Sequence, residues 1–102
     1  MKHELHPGFV ATIEGDGISL VRPLWPSIVD NVASAIAELR DNYTDGRGTG
    51  DVWSEIVEPT IVPTGPRGLE LVCTFTWQGG GDPHVITLMV VDGEVIGYTA
   101  DG

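Results

Sequence analysis

The sequence has few basic residues. Its 102 residues include five Lys or Arg against 15 Asp or Glu, so the formal net charge is −10 at pH 7. Binding to nucleic acid or to anionic membranes requires a basic patch that neutralises phosphates, so this composition excludes both classes of partner. An acidic surface instead favours encounter with basic proteins, and it also keeps a cytosolic protein soluble.

The sequence also lacks disulfide pairs and long apolar runs. Cys73 is the only cysteine, which excludes an internal disulfide and is typical of a reducing compartment. No apolar run approaches the roughly 18 residues that span a bilayer, and residues 1–7 lack the apolar stretch of a secretory signal. We therefore expect a cytoplasmic protein, and a single lysine beside many Gly, Val, Ala and Asp indicates a bacterial or phage genome.

The length and composition predict one domain over residues 1–102, with residues 1–7 as a flexible N-terminus. Phe9–Ile13 and residues 18–21 alternate in polarity around a turn at 14–17, which predicts a hairpin. Apolar residues then recur at helical spacing from Ser27 to about Asn42, and Gly46 is a natural stop. Pro23 and Pro26 are interpreted as breaks before this helix.

The second half of the chain predicts strands. Residues 51–58 form a strand that Pro59 ends, so an edge position is expected, and residues 59–68 form an exposed connection with room for a short strand at 60–62. Residues 69–77, 84–91 and 94–100 form an antiparallel meander, whose second turn is Asp92-Gly93 of type I′.

The apolar pattern also predicts the register of the meander. Pairing Trp77 with His84 places Phe75 opposite Ile86 and aligns the apolar residues of both strands. The Asp92-Gly93 turn then places Met89 opposite Ile96 and Thr87 opposite Tyr98. The helix is expected on the face that carries Leu69, Leu71, Cys73, Phe75, Ile86, Leu88, Val90 and Val95, with Gly97 leaving room beside Leu88.

The opposite face of this meander is only partly polar. It carries an apolar centre of Val72, Met89, Ile96 and Tyr98, whereas a fully solvated sheet face is normally polar. Two explanations remain open: the N-terminal hairpin curls over this face, or the face meets another chain.

Motifs that would indicate catalysis or metal binding fail on spacing. The glycine-rich run 45–51 follows a helix and precedes a strand, the reverse of a phosphate-binding loop, and it does not match a calcium loop. His3, Glu4 and His6 lie in the expected flexible terminus and do not make a metal site.

The remaining reactive side chains are separated or solvated. The predicted register separates Cys73 from His84 by on the order of 13 Å, too far for a nucleophile and its base. The carboxylate pairs Glu55 with Glu58 and Glu70 with Glu94 are expected on exposed strand ends. We therefore predict neither an enzyme nor a cofactor or metal.

The resulting prediction is a two-layer α+β fold, with one amphipathic helix on an antiparallel sheet in the order β-β-α-β-β-β-β. The predicted function is a small acidic protein-binding module, such as an inhibitor or an immunity or antitoxin-like protein that blocks a more basic partner. Alternatives are a homodimer or homo-oligomeric structural protein, and a phage-type inhibitor that mimics nucleic acid. The predicted binding residues are Trp53, Glu55, Glu58, Val72, Met89, Ile96, Tyr98, Asp30, Glu38 and Asp41.

Overall fold

The computed structural model describes residues 1–44, 52–75 and 84–101. They form a two-layer α+β fold in which one helix packs on a six-stranded sheet, in the predicted order β-β-α-β-β-β-β. The elements are β1 (Lys2–His6), β2 (Phe9–Ile13), α1 (Ile18–Thr44), β3 (Ile56–Gly65), β4 (Gly68–Phe75), β5 (His84–Val91) and β6 (Glu94–Asp101).

The sheet is mixed, which corrects the prediction of a purely antiparallel one. Its strands lie in sequence order, β1-β2-β3-β4-β5-β6. Strands β2 and β3 are parallel, with Thr12 opposite Thr60, and the other neighbours are antiparallel. Because α1 crosses over between β2 and β3, these two strands run in the same direction, as in other strand-helix-strand units.

The N-terminal hairpin lies one element earlier than predicted. Residues 1–7 contain β1, which pairs with β2, instead of forming a flexible terminus. The turn is formed by Pro7 and Gly8. Gly8 has φ 86°, because the third residue of a type II turn needs a positive φ, and proline is common at the second position. Residues 18–21, expected to be the second strand of the hairpin, belong to α1.

Helix α1 begins nine residues before the predicted start at Ser27, and it contains both Pro23 and Pro26. A proline inside a helix costs roughly 3 kcal/mol because it removes a hydrogen bond and crowds the preceding turn. The buried positions of the helix extend through both prolines, and burial of a large apolar side chain contributes about 1.5–3 kcal/mol. The additional N-terminal turns bury Val21 and Trp25, in line with Ile28, Val32, Ile36 and Leu39. Gly46 lies outside the described residues.

Strand β3 is central, whereas the sequence predicted an edge strand over residues 51–58. Val52–Glu55 forms a short 3₁₀ helix, and β3 then pairs with β2 on one side and β4 on the other. The register shifts between Val57 and Thr60, where Glu58 has φ 48°. Pro59 therefore occupies an irregularity at which the ladder does not require its missing N–H.

The C-terminal meander is confirmed, with a register shifted by two residues. Phe75 pairs with His84 and Leu71 pairs with Leu88. Because side chains alternate with period two, a shift by two keeps every residue on its predicted face. The helix packs on that face, whose residues Leu69, Leu71, Cys73, Phe75, Ile86, Leu88 and Val90 are buried. Trp77 and the turn at 78–83 lie outside the described residues.

A β-bulge in β6 changes the side of the sheet on which the last residues of this strand lie. The turn residues Asp92 and Gly93 both have positive φ, as a type I′ turn requires. Val90 pairs with Val95, but Met89 pairs with Gly97, so the register shifts around Ile96. The prediction that Met89 faces Ile96 and that Gly97 lies beside Leu88 is therefore wrong.

Candidate functional site

A groove of about 590 Å³ lies between α1 and β6. It is the candidate site, and we call it the α1–β6 groove. One wall and part of the floor come from a single face of the helix, since the residues follow helical spacing. The lining residues are Asn31, Ser34, Ala35, Glu38, Leu39 and Asn42 from α1, Leu88 from β5, and Glu94, Val95, Ile96, Gly97 and Tyr98 from β6.

The strand side of the groove carries two large exposed side chains. Ile96 is 62% exposed and Tyr98 is 51% exposed. Tyr98 pairs with Leu88, which is buried, so its ring lies on the helix side of the sheet instead of the opposite face. The bulge at Ile96 causes this change, because one extra residue reverses the alternation beyond it.

The polar lining of the groove is acidic or neutral. Glu38 is exposed on α1 and Glu94 is exposed on β6, and none of the described residues that line the groove is Lys or Arg. Apolar Leu39, Leu88 and Val95 lie between them. An apolar floor with an acidic rim suits a segment that combines apolar and basic side chains.

The helix is tied to the turn of the last hairpin near this groove. The side-chain amide of Asn31 donates a hydrogen bond to the carbonyl oxygen of Gly93 at 2.6 Å. Strand β6 pairs only with β5, so among the described residues its outer edge has no neighbouring strand. The groove is therefore bordered by a fixed helix and by backbone groups that are free to accept another strand.

The predicted binding residues divide between two surfaces. Ile96, Tyr98 and Glu38 line the groove. Val72 and Met89 lie on the opposite side of the sheet, where they are partly exposed, so the expected single apolar patch does not exist. Apart from Glu38, the helix residues of the groove, such as Leu39 and Asn42, are absent from the predicted set. Their spacing of three and four residues was the available signal.

Trp53 belongs to an aromatic cluster with His6, Phe9 and Trp25. Its ring centroid lies 4.8 Å from that of His6 and 4.7 Å from that of Phe9. The indole N–H of Trp25 donates a hydrogen bond to Nδ1 of His6 at 3.0 Å. Trp53 therefore packs between the 3₁₀ helix, the first hairpin and α1, and it does not project from an edge strand.

Glu55 and Glu58 also differ from their predicted setting. Glu55 accepts a hydrogen bond from the Arg40 guanidinium at 2.8 Å, and both side chains are largely buried. This ion pair links α1 to the 3₁₀ helix. Glu58 is exposed at the irregularity of β3. It does not share a strand with Trp53 and Glu55, which belong to the 3₁₀ helix.

Asp30 and Asp41 are exposed on α1, as their polar positions predict. Asp30 neighbours the groove residue Asn31, and Asp41 neighbours Asn42. The glycine-rich run 45–51, with Asp45 and Asp51, lies outside the described residues.

Chemistry at Cys73 is disfavoured by its surroundings. Its side chain is fully buried, and this burial raises the pKa of the thiol to about 12. His84 pairs with Phe75, so the ladder places it two residues from Cys73 and not four as predicted. A protonated thiol is a poor nucleophile, which makes Cys73 a small apolar core residue.

The N-terminal metal candidates do not converge. His3 and Glu4 are adjacent in β1 and so point to opposite faces, while Nδ1 of His6 accepts the Trp25 hydrogen bond. Among residues 1–44, 52–75 and 84–101, no group of three His, Cys, Asp or Glu side chains is placed to hold a metal ion.

Comparisons of this chain with protein families, with curated proteins and with solved structures found no match. In the part of the chain that the structure describes, no helix has both the length and the apolar character needed to cross a membrane.

Proposed function

We propose that this protein is an acidic, non-enzymatic binding module whose α1–β6 groove takes a basic segment of another protein. The observation that carries the proposal is the exposure of Ile96 and Tyr98 on the wall of an acidic-rimmed groove. Exposed aromatic and aliphatic residues grouped in a concave site are typical anchors of protein interfaces.

The charge of the chain supports a basic partner. A net charge of −10 attracts cationic proteins over several ångströms and accelerates their encounter. Glu38 places part of that charge at the groove itself. Salt screens such interactions, so binding in this groove weakens as ionic strength rises.

The shape of the groove favours an extended segment. Five consecutive residues of β6, from Glu94 to Tyr98, line it. An extended segment laid along β6 would form main-chain hydrogen bonds with the free edge while alternate side chains enter the groove. Alternating apolar and basic residues would then contact Tyr98 and Glu38.

Selection from a display library of random peptides tests this function with defined probes. We expect the chain to enrich peptides that alternate apolar residues with Lys or Arg, and we expect NMR shifts from such a peptide to map to residues 94–98. Ile96→Ser with Tyr98→Ser should weaken binding by at least about tenfold. Affinity should also fall between about 20 and about 500 mM salt.

Val62→Ser is the matched control, because Val62 is 47% exposed on the sheet face that α1 does not cover. It should leave peptide affinity unchanged. Enrichment of acidic or purely apolar peptides would contradict a basic partner. Equal loss of binding in Val62→Ser and in the groove variant would contradict the groove as the site.

A further inference from the structure

One whole face of the sheet has no covering element among the described residues. Helix α1 packs on the other face, and the N-terminal hairpin extends the sheet sideways through the β2–β3 pair instead of curling over it. We call this surface the open face. It comprises the residues that alternate with the buried ones, including Val10, Thr12, Thr60, Val62, Val72, Thr74, Val85, Thr87, Met89 and Thr99.

The open face is dominated by valine and threonine. Its central row crosses five strands by direct pairing and carries no charge until it reaches Lys2 in the edge strand β1. The members of the row are Thr12, Thr60, Val72, Thr87 and Thr99. Carboxylates lie outside this row: Glu70 lies between Val62 and Met89, Glu4 lies opposite Val10 in β1, and Glu94 lies opposite Val91 beside the Asp92-Gly93 turn.

We propose that a second copy of this chain packs on the open face, forming a twofold dimer through sheet-on-sheet contact. Two copies that each carry a net charge of −10 repel one another, so they can associate only where few carboxylates meet. The central row of the open face meets that condition, because the carboxylates of this face, Glu4, Glu70 and Glu94, lie outside the row. The surface around Asp30, Glu38 and Asp41 does not, because those carboxylates are exposed together on α1.

The charge distribution also favours a second copy of the chain over a basic protein as the occupant of the open face. A basic protein gains from contact with carboxylates, and the central row of the open face offers none. Valine and threonine faces pack well against like faces, about 10 Å apart in aligned β-sandwiches. A twofold axis brings identical patches together, so a self-complementary neutral face suits a homodimer.

The size of the face is sufficient for a dimer of modest affinity. Six strands spaced about 4.8 Å apart, each five to ten residues long at about 3.3 Å per residue, present roughly 600 Å². The dimer would bury roughly 1,200 Å² in total, at the lower end of specific interfaces. Weak and transient contacts are found at this end of the size range, so the association has to be measured up to high protein concentration.

Sedimentation equilibrium of the full chain tests this proposal, at concentrations from about 1 to about 300 µM. We expect a monomer–dimer equilibrium that strengthens several-fold between about 20 and about 500 mM salt, because salt screens the repulsion between the two anionic copies. The groove interaction has the opposite salt dependence. Loss of either interaction therefore leaves the other measurable.

Thr87→Glu adds a carboxylate to the central row and should weaken the dimer by at least about tenfold. Leu20→Glu adds the same charge to α1, where Leu20 is 39% exposed, and should leave the dimer almost unchanged. Thr60→Glu replaces Thr87→Glu if circular dichroism shows that the latter is unfolded.

Two results would overturn the dimer. One is a wild-type chain that remains monomeric over the whole concentration range in both salts. The other is an equal dissociation constant for the dimers of Leu20→Glu and of a folded open-face variant, Thr87→Glu or Thr60→Glu. The contact would then lie on another surface.

Discussion

Leu88 and Tyr98 pair directly across β5 and β6, so a fully buried side chain and a half-exposed ring lie on the same side of the sheet. Strict alternation from the Asp92-Gly93 turn places Tyr98 on the other side. One extra residue at Ile96 reverses that alternation. The bulge therefore moves Tyr98 from the open face to the groove beside α1.

The same bulge predicts the effect of substituting Gly97. A Cβ at this position would lie 3.3 Å from Cε of Met89, on the open face and away from α1. Because the end of a methionine side chain moves easily, Gly97→Ala should change the free energy of unfolding by no more than about 0.5 kcal/mol in urea denaturation.

Gly68→Ala is the matched comparison for Gly97→Ala. Its Cβ would lie 2.7 Å from Oγ1 of Thr64 and 3.1 Å from the carbonyl oxygen of Val90, and the backbone atom cannot move aside. This substitution should cost about 1–3 kcal/mol. A loss at Gly97 as large as that at Gly68 would indicate a close helix contact, as the register without a bulge implies.

The elements with strong local patterns could be predicted from the sequence. The Asp92-Gly93 turn and the alternating strands around it predict the meander, and the structure confirms it. The register differs by two residues, so the predicted residues still lie on the buried face. The bulge at Ile96 has no comparable signal, because nothing in the residues near it requires an extra position. The division of the predicted binding patch between two surfaces therefore followed only from the structure.

Prolines explain most of the other errors. Pro23 and Pro26 predict a break in the chain, yet Val21 and Trp25 continue the helical spacing of the buried residues and stabilise the longer helix. Pro7, in contrast, forms a turn with Gly8, and this pair is the signal in the sequence for a hairpin that begins at β1. A proline raises the free energy of a helical conformation, and burial of neighbouring apolar side chains can offset this increase.

The hydrogen bond between Trp25 and His6 gives a second prediction. Trp25 is 2% exposed, so its indole N–H depends on Nδ1 of His6 as acceptor. His6→Phe retains a flat ring but removes that acceptor, and it should lower the free energy of unfolding by about 1–3 kcal/mol. Chemical denaturation monitored by tryptophan fluorescence measures this loss.

A double-mutant cycle separates the hydrogen bond from ring packing. In a Trp25→Phe background no indole N–H remains, so His6→Phe should cost at least about 1 kcal/mol less than in the wild type. If the two backgrounds give the same loss, the stacking of His6 on Phe9 and Trp25 would account for the whole effect.

The ion pair between Arg40 and Glu55 gives a third prediction. Glu55→Ala removes the acceptor 2.8 Å from a guanidinium that is only 11% exposed, which should cost about 1.5–3 kcal/mol. Asp30→Ala removes an exposed carboxylate from α1 and should stay within about 0.5 kcal/mol. Equal unfolding free energies for the two variants in urea denaturation would show that the pair contributes nothing.

The buried thiol of Cys73 predicts a dependence of stability on alkaline pH. Burial raises its pKa from 9.0 to about 12 in the folded chain. Well below pH 9 the thiol is protonated in both states and adds no pH dependence. Above pH 9 the unfolded chain loses this proton while the folded chain retains it, so rising pH favours unfolding.

Comparison with Cys73→Ala isolates this effect, because both chains share every other titrating group and the smaller side chain costs the same at each pH. The stability advantage of the wild type should be about 1.4 kcal/mol smaller at about pH 10 than at about pH 8, measured by urea unfolding in the presence of a reductant. An advantage that stays constant over this interval would mean that Cys73 titrates alike in both states, and so that its thiol is accessible to solvent in the folded chain.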